Sequence, residues 1–113
     1  MGDGLDILYL YGFSPKSIEK IKLLKSIIMV QVAKGNKIGV ALIHNGVIGA
    51  SSRVKNSGEI SAMLTSEIVI HAVIPDLKAR GISIGDISEG IIPIEYSELV
   101  DLMDNTEKII SWM

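Results

Sequence analysis

The residues that could do chemistry in this chain are few, and they cluster after its apolar runs. Ser14 follows the first run, His44 and Asn45 follow the second, and Asp76 follows the third. In an open parallel sheet those are the places where a ligand binds. Ser14 before Pro15 could hold an anion at a helix start, or simply cap the helix. Neither a G-x-G-x-x-G nor a Walker A pattern accompanies it. His44 could serve as a general base or proton shuttle, yet no motif places a serine or carboxylate beside it, and a turn histidine at the surface is the plainer reading. Ser14, His44 and Asn45 are the candidate ligand-binding residues. His71 sits inside an apolar run and reads as a hydrogen-bonded core or interface residue. Asp76 and Arg80, four apart, suit a helix-surface pair worth about a few tenths of a kcal/mol. Glu95 and Glu98 fall on a solvated helix and do not suggest acid/base work.

What the chain lacks is as informative. It has no cysteine, so it offers no disulfide, thiolate metal site, thiol nucleophile or persulfide carrier. Two histidines make a histidine zinc site improbable, and no metal or cofactor is expected. At 113 residues the chain reads as one domain, residues 1–113. Hydrophobic residues make up 48% and aromatics 4%, so the core is aliphatic and platforms for stacking bases are scarce. Direct nucleic-acid binding and a membrane span are not expected. The start carries acidic residues and does not look like a signal peptide, so a cytoplasmic protein is the expectation. The net charge of -2 hides an asymmetry. Lys16, Lys20, Lys22, Lys25, Lys34, Lys37, Arg53 and Lys55 lie in the first half; Glu89, Glu95, Glu98, Asp101, Asp104 and Glu107 lie in the second. One basic and one acidic side suit a complementary subunit; two solvated faces explain the pattern as well.

The elements that must position these residues alternate. Leu5–Tyr11 reads as a strand ending at Gly12. A helix runs from Pro15 to about Lys34, with Ser14 as its cap and Gly35-Asn36 as its stop. Ile18, Ile21, Leu24, Ile28 and Val32 form its buried stripe, which Leu23, Ile27 and Val30 widen. That width suits an oligomer surface or a helix covered by its own neighbours. Lys37–Ile43 is a second strand, with Gly39 suggesting close backbone packing. His44-Asn45-Gly46 is a turn in which Asn-Gly tolerates positive φ, and a short helical turn follows. Ser51–Gly58 is polar and reads as a mobile loop, and Glu59–Leu64 as a short helix. Glu67–Val73 is a third strand. Pro75 opens a third helix that Gly81 closes. Gly90–Pro93 is a short strand, Tyr96–Asp104 an amphipathic helix, and Lys108–Trp112 a last strand. The pattern implies a three-layer α/β/α sandwich with a mostly parallel sheet of about five strands.

The run Asp76-Leu77-Lys78-Ala79-Arg80-Gly81, then Ile91-Ile92-Pro93-Ile94-Glu95-Tyr96, then Leu99-Val100-Asp101-Leu102, resembles the DsrE/DsrF/DsrH superfamily, and most of all its DsrH/TusB-like branch. Ser14-Pro15, the turn His44-Asn45-Gly46-Val47 and Trp112 fit the same pattern, so the resemblance covers nearly the whole chain. It implies a three-layer subunit of a sulfur-relay assembly that passes persulfide sulfur, in tRNA wobble-uridine 2-thiolation or in sulfur oxidation. Its partners would be related DsrE/DsrF-like (TusC/TusD-like) subunits, or itself, with Arg80, Tyr96 and Trp112 as candidate interface residues. Transfer in such assemblies uses a cysteine. This chain has none, so no catalytic residue carries over and a non-enzymatic role is expected. Asn45 stands where the branch's turn has aspartate, and Ser51–Leu64 is longer than the branch would suggest. The alternative reading is a homo-oligomeric small-ligand-binding domain using the strand-end cleft. A His44-centred hydrolase or transferase is a third.

Overall fold

Five apolar runs become five parallel strands because each is joined to the next by a helix-length connection. The structure, a computed structural model, describes residues 4–54, 58–65 and 67–113. The strands are β1 Ile7–Tyr11, β2 Ile38–Leu42, β3 Ile68–Val73, β4 Ile92–Ile94 and β5 Lys108–Trp112, and the helices are α1 Ile18–Ala33, α2 Gly58–Ser61, α3 Ile74–Ala79 and α4 Tyr96–Asp104. The sheet order is β4-β3-β2-β1-β5, every pair parallel. All residues of β1 and β2, two of the three inner strands, are buried, as the unbroken apolar runs require of a sheet covered on both faces.

The order explains how the layers are filled. From β1 to β4 the chain steps in one direction, and α1, the 3₁₀ helix His44–Ala50, α2 and α3 all add residues to the core on one face. From β4 it returns across the sheet to β5 through α4, which packs on the other face. Crossovers of one hand must switch faces when the direction of travel reverses. The first face therefore buries a large cluster that includes Ile7, Tyr9, Tyr11, Leu24, Ile28, Val40, Ile70 and Leu77. The second has Leu8, Leu10, Ala41, Ile43, Val73, Ile94 and Leu99 beneath a single nine-residue helix.

Several local expectations shift. The first helix starts at Ile18, three residues after Pro15. Ser14-Pro15-Lys16-Ser17 first closes a turn, with Ser17 N–H donating to the Ser14 carbonyl at 3.0 Å, because proline suits the second position of a turn as well as a helix start. Gly39 packs against the side chains of Leu5 and Leu8 rather than another backbone. The start of the polar loop is anchored: Ser52 N–H donates to the Asp86 carbonyl at 2.8 Å, Ser88 N–H to Ala50 at 2.7 Å, and Arg53 meets Asp86 at 3.2 Å. Residues 55–57 of that loop lie outside the described residues. Glu95 and Glu98 form a capping box, each side chain accepting the other's backbone N–H at the start of α4. α3 ends as expected, with Gly81 at φ 69 and Ile82 N–H returning to the Leu77 carbonyl at 2.9 Å.

Candidate functional site

Parallel pairing of β2, β3 and β4 brings their C-terminal ends to one rim of the sheet. His44 and Asn45 follow β2, Asp76 lies in α3 just after β3 with Arg80 capping that helix, and Tyr96 opens α4 just after β4. Side chains separated by dozens of residues meet there around Asp76, which is only 9% exposed. Its Oδ2 accepts the backbone N–H of His44 at 2.7 Å, and its Oδ1 accepts the Tyr96 hydroxyl at 2.8 Å. A buried carboxylate persists only when its oxygens are matched in this way. Each such bond to a charged acceptor is worth roughly 1.5–3 kcal/mol.

Arg80 completes the constellation from the side. Its Nη1 donates to the backbone carbonyl of Asp76 at 3.1 Å and its Nε to Asn45 Oδ1 at 3.1 Å. The expected surface pair between Asp76 and Arg80 thus takes another form: the carboxylate turns inward to β2 and α4, while the guanidinium ties α3 to the turn. That turn carries the positive φ on His44, at 49°, and not on the Asn-Gly pair. Such a conformation costs a non-glycine residue about 1–2 kcal/mol, and the Asp76 bond to the His44 N–H offsets it. Gly46 is required for a different reason, since a Cβ there would run into the Tyr11 carbonyl. The Tyr96 hydroxyl is held above the usual tyrosine range, first by its hydrogen bond to Asp76, then by burial and the carboxylate's charge, with Arg80 pulling the other way. Tyr96 is therefore a neutral donor here and not a base. The constellation locks three loops together and points the exposed His44 and Asn45 side chains outward.

The other end of the rim is aromatic. Tyr11 ends β1 beside Phe13, ring centroids 5.8 Å apart, and beside Trp112 at 6.4 Å. Lys20 Nζ lies 4.9 Å from the centre of the Phe13 ring. Tyr11, Phe13, Pro15, Ile21, Gly46, Gly49 and Ile60 enclose a cavity of about 10 Å³, room for one water at most. Burial pushes the Tyr11 hydroxyl up to about 12, and it has no hydrogen-bond partner among the described residues.

Of the residues singled out in the sequence, His44, Asn45, Arg80 and Tyr96 come together. Ser14 stands apart, its Oγ accepting the Lys16 N–H at 3.2 Å. Trp112 belongs to the aromatic end. The residue that sequence reasoning placed wrongly is Asp76, taken for one half of a helix-surface pair with Arg80 and found buried. His71 lies on the α4 face of β3, half-buried, with Nδ1 unpartnered among the described residues. Burial lowers its pKa, and the charge of Glu98 partly restores it. Among the described residues no group of three or more histidine, aspartate or glutamate side chains could hold a metal, and no helix is long and apolar enough to cross a membrane.

Fold and rim define a class: a small three-layer α/β protein with five parallel strands, three of which, β2 to β4, end at a carboxylate-centred knot. Within that class the chain belongs to the DsrH-like family, whose model, described as DsrH like protein, matches residues 14–109. Similar solved structures share the fold at low identity. The ychN protein from E. coli has a TM-score of 0.77 at 14% identity, covering 96% of this chain and 99% of that one. BT1422 from Bacteroides thetaiotaomicron has 0.73 at 23%, covering 95% of each. MTH1491 from Methanobacterium thermoautotrophicum has 0.70 at 17%, covering 90% and 96%. No curated protein matches.

Proposed function

We propose that this chain is a non-catalytic, TusB/DsrH-like subunit of a cytoplasmic sulfur-relay assembly, serving tRNA wobble-uridine 2-thiolation or sulfur oxidation. One observation carries the reading: a DsrH-like match over residues 14–109 in a chain without a single cysteine. In a persulfide relay the terminal sulfur moves from one thiolate to the next, which releases the first thiolate and leaves the second as the persulfide. No atom of this chain can take either part. Its contribution is then to bind and position a cysteine-bearing DsrE- or DsrF-like (TusC/TusD-like) partner. Arg80 and Tyr96 at the polar end of the rim, and Trp112 at the aromatic end, are the proposed contact residues. The knot around Asp76 supports this, because it holds three loops in one rigid surface. Mixing the chain with its cognate DsrE- and DsrF-like chains and measuring mass by size exclusion with light scattering tests the reading. A stoichiometric complex is expected, and a chain that elutes alone from every mixture overturns it.

A further inference from the structure

Tyr11 is 2% exposed, and its hydroxyl meets no hydrogen-bond partner among the described residues. A buried hydroxyl left unpaired destabilises a fold, and a phenylalanine ring would fill the same place without that cost. Burial pushes its pKa up to about 12, so the group is a neutral O–H. It lines the cavity of about 10 Å³, with Phe13, Pro15, Ile21, Gly49 and Ile60 among the other walls. Of the side chains that line this cavity, only that of Tyr11 carries a polar atom. Phe13 and Pro15 are half-buried, so the wall is thin toward solvent on their side. The place in the sheet is as specific as the group. The chain adds β2, β3 and β4 on one side of β1 and β5 on the other. The carboxyl end of β1 is therefore where the topology switches, and open α/β sheets bind small ligands in the crevice at that point. None of Ser14, His44 and Asn45 lines this cavity.

We propose that this cavity is a binding site for the carbonyl group of a small uncharged molecule, with the Tyr11 hydroxyl as the donor. Size admits one such group: about 10 Å³ holds a single water-sized head, so the body of the ligand lies outside, against Phe13 and Pro15. Chemistry chooses among heads of that size. Water needs about two to four polar partners and finds one side-chain hydroxyl here. An alcohol can accept from Tyr11 but brings a hydrogen of its own that stays unpaired against apolar walls. A carboxylate would give up its hydration for one bond. A carbonyl oxygen has no hydrogen to satisfy, and one donor serves it. The hydroxyl that costs the fold stability on its own then contributes to it in the complex. The site needs no partner subunit and stands apart from the relay reading.

The test separates the donor from the space, in the full chain with isotope-labelled isoleucine methyls read by NMR. Tyr11→Phe removes the donor and keeps the cavity. Gly49→Ala keeps the donor and narrows the cavity, since a Cβ there meets Ile60 Cγ1 at 3.1 Å and Pro15 Cγ at 3.6 Å, and Gly49 has no positive φ that would forbid alanine. Cyclopentanone is the probe, with cyclopentanol and cyclopentanecarboxylate as controls of like body. The ketone is expected to shift the Ile21 and Ile60 methyl resonances of the wild type saturably, with a Kd on the order of 1–10 mM, as so few atoms allow. Tyr11→Phe is expected to bind it about fivefold more weakly, the worth of one hydrogen bond, while its urea midpoint rises. Gly49→Ala is expected to lose binding; if it fails to fold by circular dichroism, Tyr11→Phe alone decides. Equal affinity in Tyr11→Phe or in a folded Gly49→Ala would overturn the proposal. So would an alcohol or carboxylate that binds as tightly as the ketone. No saturable shift in the wild type would also overturn it and leave the cavity a seat for water only.

Discussion

The two ends of the strand rim solve the same problem in opposite ways. At the β2–β4 end the chain buries a carboxylate and satisfies it with the His44 N–H and the Tyr96 hydroxyl, at 2.7 and 2.8 Å. At the β1–β5 end it buries a hydroxyl, that of Tyr11, among apolar and aromatic neighbours and gives it no partner among the described residues. The first end gains specificity, because an unsatisfied buried charge punishes any other arrangement of the three loops. The second gains area: Tyr11 meets Phe13 edge to face and Trp112 at a tilt, which packs the terminus of β5 against that of β1. The first end is a fixed polar surface and the second an apolar seal.

Substitutions can break this contrast. Asp76→Ala strips the acceptor from two buried or part-buried donors at once and should cost about 3–5 kcal/mol, read as a lowered urea midpoint. Tyr96→Phe removes one of the two bonds and should cost about 1–2 kcal/mol. Tyr11→Phe at the opposite end should instead stabilise by about 1 kcal/mol, since it deletes a hydroxyl that burial charges for and nothing repays. If Tyr11→Phe destabilised as Tyr96→Phe does, the two ends would not differ as described. Arg80→Lys keeps the charge but loses the fork to Asn45 and the Asp76 carbonyl, and should cost less than about 1 kcal/mol.

The smallest expected effect is acid sensitivity from His71. Its pKa is lower folded than unfolded, so between the two values the unfolded chain binds more protons and stability rises with pH. Its contribution is complete above the ordinary histidine value of about 6.5 and is lost as pH falls below it. His71→Phe should flatten the urea midpoint between about pH 7 and pH 5 relative to wild type, over the range where a histidine titrates. An unchanged slope would assign the acid sensitivity to other groups.

Much of this was legible in the residues. The strand runs are apolar enough to announce burial on both faces, and Tyr96–Asp104 and Lys108–Trp112 fold within the expected bounds because their periods and stop signals agree. The onset of α1 was not legible, since Ser-Pro begins a turn as readily as a helix. Nor was the inward turn of Asp76. An acid in a helix's first turn is explained locally by the dipole, and only the meeting of residues 44, 76 and 96 on one rim shows the carboxylate to be buried. The signal that could have found it was its place three residues beyond a buried strand, where the chain has not yet reached solvent. Glu95 and Glu98 show the same limit in reverse: they cap α4 with a local pattern that spacing alone could have named.

The central claim is that this chain supports sulfur transfer by binding and carries none of it. The direct measurement is persulfide transfer among the cognate chains, followed by mass spectrometry of intact proteins with and without this one. The account predicts sulfane sulfur on cysteine-bearing partners only, with delivery to the acceptor that rises until this chain reaches stoichiometric amount and then levels off. Delivery at the same rate when this chain is left out would contradict it.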